Sequence, residues 1–286
     1  KKLKIMKKYN KLFILTGVIG AFMFSCKTQK SAQEPLTNKE KKYINRILKY
    51  GLDHEALYTI LADIKPMSSL RILSLPVVNT DSISGKKDAV PAEKLRHLDS
   101  LKQIQTTLNK INIPDVKFVA IPYKATKEDK LSIQVSAVRL SLLNKVLEDK
   151  KSFFGQFGLI HGSSPELVVS TIENAKIYDR YRGYGYLFGY PDYAVDFFVE
   201  AAKETNKNKK LYPRKFFQIP VFSSKNGYFV YAYSESYTPS KQVDSALYYK
   251  ADFTLKEYRK LRPKFMNPDS TMNALELINA YNKGSR

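Results

Sequence analysis

The chain has three histidines, at 54, 97 and 161, and histidine is the side chain most ready to move protons near neutral pH. Asp53-His54-Glu55 opens like the zinc pattern His-Glu-x-x-His. Residue 58 is Tyr, however, so the second ligand is missing and no metal is expected. His161-Gly162-Ser163-Ser164-Pro165 sets a histidine beside two hydroxyls at a helix start, where backbone N–H groups suit an oxyanion or an anionic ligand. His161, Ser163 and Ser164 are thus the candidate catalytic set, for a hydrolase. The same Ser-Ser-Pro is also what plain helix capping requires, and no Gly-x-Ser-x-Gly elbow is present.

The densest unusual segment runs from Tyr178 to Tyr193. Arg180 and Arg182 lie there among Tyr184, Tyr186 and Tyr190, and these five are the candidate binding residues. Aromatic faces beside guanidinium groups stack sugars, bases or a partner's aromatic residue. Glycines 183, 185 and 189 do not form Gly-x-Gly-x-x-Gly, because position 188 is Phe, so no dinucleotide cofactor is expected. Asp192, Asp196 and Glu200 follow at i, i+4 and i+8, a spacing that serves either acid–base work or a solvated helix stripe. Lys207, Lys209, Lys210, Arg214 and Lys215 form a basic run able to touch anionic headgroups.

These residues need elements to hold them. Thr37-x-x-Glu40 is a capping box before Ile44, Ile47 and Leu48. Gly51 then suits a helix end and Asp53 a new start, giving a helical hairpin. Arg71 to Val78 reads as a strand and Thr80 to Lys87 as a polar loop. Pro91 opens a helix stopped near Asn112, and Lys117 to Tyr123 is a strand. Thr126-x-x-Asp129 caps an expected helix with Val135, Val138, Leu142 and Val146 on one face. Helices are expected after Pro165 and Pro191, with a Gly/Tyr loop at 181–190 between them. Phe216 to Phe222 and Tyr228 to Tyr233 flank a turn, the mark of a hairpin. Helices near 242–260 and 270–282 close the chain. The sum is an α+β fold, helix-dominated, with a small antiparallel sheet that includes a hairpin near 216–233.

The formal charge of +21 includes six leader lysines, at 1, 2, 4, 7, 8 and 11, and removing them leaves +15 on the remainder. Such a charge attracts polyanions of any kind, so the compartment must choose among them.

The N-terminal residues address the compartment. Met6 is the expected start, followed by Lys7-Lys8, an apolar run from Leu12 to Ser25, and Cys26, the sole cysteine. A basic segment, an apolar stretch of about 14 residues and a small residue at the cut site make a secretory signal, too short for a membrane-spanning helix. Met23-Phe24-Ser25-Cys26 resembles the lipobox of bacterial lipoproteins. It departs from the usual pattern at Met23, where Leu is commonest, and at Phe24, where a small residue is usual. The resemblance implies a diacylglyceryl group on the Cys26 thiol and removal of residues 1–25. Residues 26–36 then form a polar tether and 37–286 a single mature domain, with a subdivision possible near 124. Surface-exported lipoproteins of some Gram-negative groups carry an acidic run just after the acylated cysteine. None follows Cys26, so the expected address is the outer membrane, facing the periplasm.

The expected function is a lipid-anchored envelope protein, not an enzyme, that binds a protein or an anionic envelope component without a cofactor. The alternatives are the hydrolase and a polyanion or nucleic-acid binder, the latter opposed by an address outside the cytoplasm. Metabolic labelling with a fatty-acid analogue in a lipoprotein-processing host checks the anchor: label on the parent chain and none on Cys26→Ala.

Overall fold

Thr37 begins the first helix as its pattern requires. Its hydroxyl accepts from the Glu40 amide, while the Glu40 carboxylate accepts from the Thr37 amide at 2.8 Å. Helix α1 (Asn38–Asp53) buries Ile44, Ile47, Leu48 and Leu52, a stripe of helical period. The helix continues past Gly51, the expected end, to finish at Asp53, and only the one-turn α2 (Leu57–Ile60) follows. Gly51 is needed for proximity: a Cβ there would lie 2.4 Å from Leu70 Cδ2. The computed structural model describes residues 35–76, 97–123, 130–224 and 229–284. The leader, Cys26, most of the tether, the 80–87 loop, Pro91, and the Thr126–Asp129 cap lie outside them. Residues Leu36–Arg286 form one compact unit.

Three strands build its central sheet: β1 (Met67–Pro76), β2 (Val116–Pro122) and β3 (Lys130–Arg139), with helix α3 (His97–Asn109) between the first two in sequence. β3 lies in the middle and pairs antiparallel with both neighbours, Met67 opposite Val138 and Val116 opposite Arg139. Both faces of the sheet are buried. Val116, Phe118, Val135 and Ala137 enter one core with α1, α2 and α3. Val119, Ile121, Val138 and Met67 enter a second. This explains one departure from expectation. A strand buried on both sides carries apolar residues at both parities, so Val135 and Val138 fell at a helical spacing although 130–139 is strand. The helix begins only at Leu140.

The second core is closed by α4 (Leu140–Asp149), α5 (Lys151–Phe154), α6 (Pro165–Asn174) and α7 (Ile177–Leu187). Helix α8 (Asp192–Asn208) packs on α7 and on a separate two-stranded ribbon, β4 (Lys215–Ile219) with β5 (Phe229–Tyr233). This ribbon is the expected hairpin, standing apart from the three-stranded sheet. A π-turn at Lys241–Ser245 leads into α9 (Ala246–Leu261), and α10 (Ala274–Gly284) packs back on α1. The fold is α+β, helix-dominated, with small antiparallel sheets.

Segment 181–187 is helical rather than loop, and its glycines are the reason. A Cβ on Gly183 would lie 2.7 Å from Ile172 Cγ2, and one on Gly185 2.8 Å from Val195 Cγ2. These residues let α6, α7 and α8 approach closely, which outweighs the poor helix propensity of glycine. Gly183→Ala and Gly185→Ala are each expected to destabilise by about 1–3 kcal/mol through overpacking, despite the better propensity of Ala. Gly155, with open space where its Cβ would be, gives the opposite sign: Gly155→Ala gains about 0.4–1 kcal/mol. Urea denaturation midpoints check all three.

Candidate functional site

The structure gives each candidate from the sequence a definite place. His161 is exposed in a turn. The Ser163 hydroxyl accepts from the Ile160 amide at 3.0 Å, and the Ser164 hydroxyl caps α6 by accepting from the Leu167 amide at 3.3 Å. Both hydroxyls therefore serve the local backbone, Ser164 as the cap of α6 and Ser163 within the turn before it.

The five binding candidates are engaged inside the protein. Arg180 pairs with buried Glu173 at 3.4 Å, and the Tyr184 hydroxyl donates to the same carboxylate at 2.8 Å. Arg182 pairs with Asp196 and reaches the Tyr186 hydroxyl at 3.2 Å. Tyr186 packs edge-on against Phe153, with the Lys150 amine 5.3 Å above its ring. Asp192 and Glu200, the other acids of the α8 stripe, pair with Lys150 and Lys203.

Tyr190 has the most unusual surroundings. With Phe188 and Phe229 it forms an aromatic box around the amine of Lys65, which is completely shielded from solvent. The amine lies 4.1 Å from the Phe229 ring centre, 5.4 Å from Phe188 and 5.7 Å from Tyr190. Its ion-pair partner is Glu55, between α1 and α2. Burial pushes the Lys65 amine below its ordinary range, against the pull of Glu55.

Two more buried carboxylates tie elements together, Asp53 at the end of α1 and Asp244 between α8, β5 and the turn before α9. Asp53 accepts from Arg262 Nε at 2.8 Å and Nη2 at 3.0 Å, and from the Tyr258 hydroxyl at 2.7 Å. Burial would raise its pKa, but these donors hold the carboxyl below the usual range. Asp244 accepts from Tyr193, from Tyr231 at 2.6 Å, from Tyr237 at 3.2 Å and from the Ser240 amide at 2.6 Å. There too burial pushes upward and the hydroxyl donors win.

The site that sequence reasoning missed lies along the outer edge of α1. Lys39, Lys42, Arg46 and Lys49 recur at helical spacing and line a cleft of about 830 Å³. Its opposite walls come from Ser100, Gln103 and Thr107 on α3 and from the turn Asn267–Asn273. That turn is stiffened by side chains. Asp269 accepts from the Thr271 hydroxyl at 2.6 Å and its amide at 3.0 Å, and Asn267 donates to the Thr271 hydroxyl at 2.8 Å. A second cleft of about 500 Å³ adjoins the first at Arg46, and Arg71, His54 and Glu55 line it.

Charge in the larger cleft is unbalanced. Of its four cations only Lys49 has a carboxylate partner among the described residues, Asp53 at 3.3 Å. Glu40 is already committed: the Lys110 amine at 2.8 Å, with Thr37 beside it, lowers its pKa to about 2. Asp269 is held by Thr271, with Lys42 adding to the pull. Tyr43 lines the same cleft. The Arg46 guanidinium lies 5.4 Å from its ring centre, and its buried hydroxyl has no hydrogen-bond partner among the described residues. A cleft with three cations that have no ion-pair partner among the described residues can hold an anion of ligand size. The basic stripe was visible in the sequence, opposite Ile44, Ile47 and Leu48. Its far wall, more than two hundred residues along the chain, was not.

Compared with known protein families, curated proteins and solved structures, the chain matches none.

The Lys65–Glu55 pair, which closes the floor beside the second cleft, makes a prediction with a sign. Glu55→Gln leaves a buried ammonium unpaired, at a cost of about 3–5 kcal/mol. Burial already lowers the Lys65 pKa in the parent, and loss of Glu55 lowers it further, so in both chains the unfolded state binds more protons below 10.5 and stability rises with pH, over a wider range in the variant. The gap between parent and variant in urea unfolding should therefore narrow as pH rises towards the ordinary lysine value. A gap of constant size would contradict it.

Proposed function

We propose that this chain is a lipid-anchored protein of the bacterial cell envelope that binds an anionic component of that envelope in the cleft along α1. The observation that carries the reading is the row Lys39, Lys42 and Arg46, cations without ion-pair partners among the described residues, facing a wall of amides and hydroxyls that also holds Asp269. Amides and hydroxyls suit the neutral hydrogen-bonding groups of a ligand, and the cations suit its phosphates or carboxylates. The cleft volume fits a ligand of a few sugar or nucleotide units.

The address supports the same reading. Eleven residues separate Cys26 from Asn38. Even fully extended, such a tether reaches only about 40 Å. A domain anchored at Cys26 thus works beside a membrane, where anionic headgroups and glycans are concentrated. The hydrolase alternative lacks comparable support, because the hydroxyls of Ser163 and Ser164 are used by neighbouring backbone amides.

Isothermal titration with tripolyphosphate and with trigalacturonate, using maltotriose as an uncharged control, tests the proposal. Binding of an anion that weakens with salt is expected, and Lys42→Glu with Arg46→Glu should reduce it by at least about tenfold, near 1.4 kcal/mol. Lys145→Glu with Lys151→Glu changes net charge equally on a distant face and should leave affinity nearly unchanged. Equal losses in the two double variants would mean that the cleft is not the site.

A further inference from the structure

The segment after α8 carries a second surface, built from different residues. From Thr205 to Ser234 the chain contains no Asp or Glu, yet it holds Lys207, Lys209, Lys210, Arg214 and Lys215. Among the described residues none of the five has a carboxylate partner. Lys215 donates instead to the Glu235 carbonyl at 3.2 Å, and Arg214 to the Tyr212 carbonyl at 3.0 Å. In the middle of this charge stand three large apolar side chains left in solvent: Leu211 is 75% exposed, Phe216 55% and Tyr212 41%.

The arrangement is held in shape. Lys209 ends α8 in the left-handed conformation, at φ 55°, and turns the chain outward. The Tyr212 amide donates to the Thr205 hydroxyl at 3.3 Å, and its ring packs against Phe197 at 5.9 Å. The turn is thereby pinned to α8 while Leu211 projects. Phe216 lies on β4, on the face of the ribbon away from buried Ile219.

We infer that residues 207–216 form a membrane-contact surface for an anionic lipid bilayer. Large apolar side chains ringed by lysines match the two layers of such a surface, acyl boundary within and anionic headgroups around. A soluble polyanion would use the charge and leave Leu211 and Phe216 idle. This contact goes beyond the cleft reading and does not depend on it. With an acyl group on Cys26 it would supply the second attachment that orients the domain on the bilayer.

The test uses residues 36–286, whose buried core is wholly internal, in co-sedimentation with vesicles. Binding is expected to phosphatidylcholine vesicles containing phosphatidylglycerol and not to phosphatidylcholine alone. Lys209→Glu with Lys210→Glu, and separately Leu211→Ser with Phe216→Ser, should each weaken it by about tenfold or more, because each near-surface charge alters partition by about fivefold. Lys145→Glu with Lys151→Glu, an equal change of charge on α4 and α5, should not. The inference is overturned if the parent unit ignores anionic vesicles, or if that control weakens binding as much. It is equally overturned if charge reversal weakens binding while Leu211→Ser with Phe216→Ser changes nothing, which marks a soluble polyanion.

Discussion

An amine sealed in a protein interior persists only where its neighbours replace the water it has lost, and Lys65 is such a group. Its replacements come from three distant parts of the chain: Glu55 from the turn after α1, Phe188 and Tyr190 from the end of α7, and Phe229 from β5. Backbone approach completes the clamp. Gly189, at φ 74°, passes so close to the Lys65 segment that a Cβ would lie 3.0 Å from Pro66 Cδ and 3.1 Å from the Ile64 carbonyl. One buried amine therefore sets the α1–α2 corner, through Glu55, against the α7–α8 corner and the ribbon, through their aromatic rings. Because removing either partner strands the other, the corner cannot relax without large cost.

That constraint positions the cleft. Helix α1 is fixed at its end by Glu55, and by Asp53 through Arg262 and Tyr258. The helical repeat that buries Ile44, Ile47 and Leu48 necessarily turns Lys39, Lys42, Arg46 and Lys49 outward, so the core stripe and the basic stripe are two faces of one pattern. What converts a solvated basic edge into a cleft is the stiff turn Asn267–Asn273 and the flank of α3. The surplus of positive charge read from composition thus acquires two locations, the cleft and the 207–216 segment.

Features written in local chemistry were legible from the residues. The Thr37–Glu40 capping box, the Ser164-Pro165 helix start and the hairpin formed by β4 and β5 all follow from neighbours a few positions apart. Features decided by distant partners were not. β3 mimics helical spacing because both its faces are buried, and α7 is helical because Gly183 and Gly185 fit against Ile172 and Val195. Lys65 looks like any surface lysine until three aromatic rings close around it. The residues Arg180, Arg182, Tyr184 and Tyr186 drew notice by type alone, while nothing near them in the sequence marks Glu173 as partner of Arg180 and Tyr184, or Asp196 as partner of Arg182.

The central claim is that one held face of α1, rather than charge in general, receives the anion. Hydrogen–deuterium exchange with and without saturating tripolyphosphate reads this directly, segment by segment. The account predicts slowed exchange in peptides spanning 38–53 and 267–273, with 205–216 unchanged. Protection spread over every basic segment, or confined to 205–216, would contradict it.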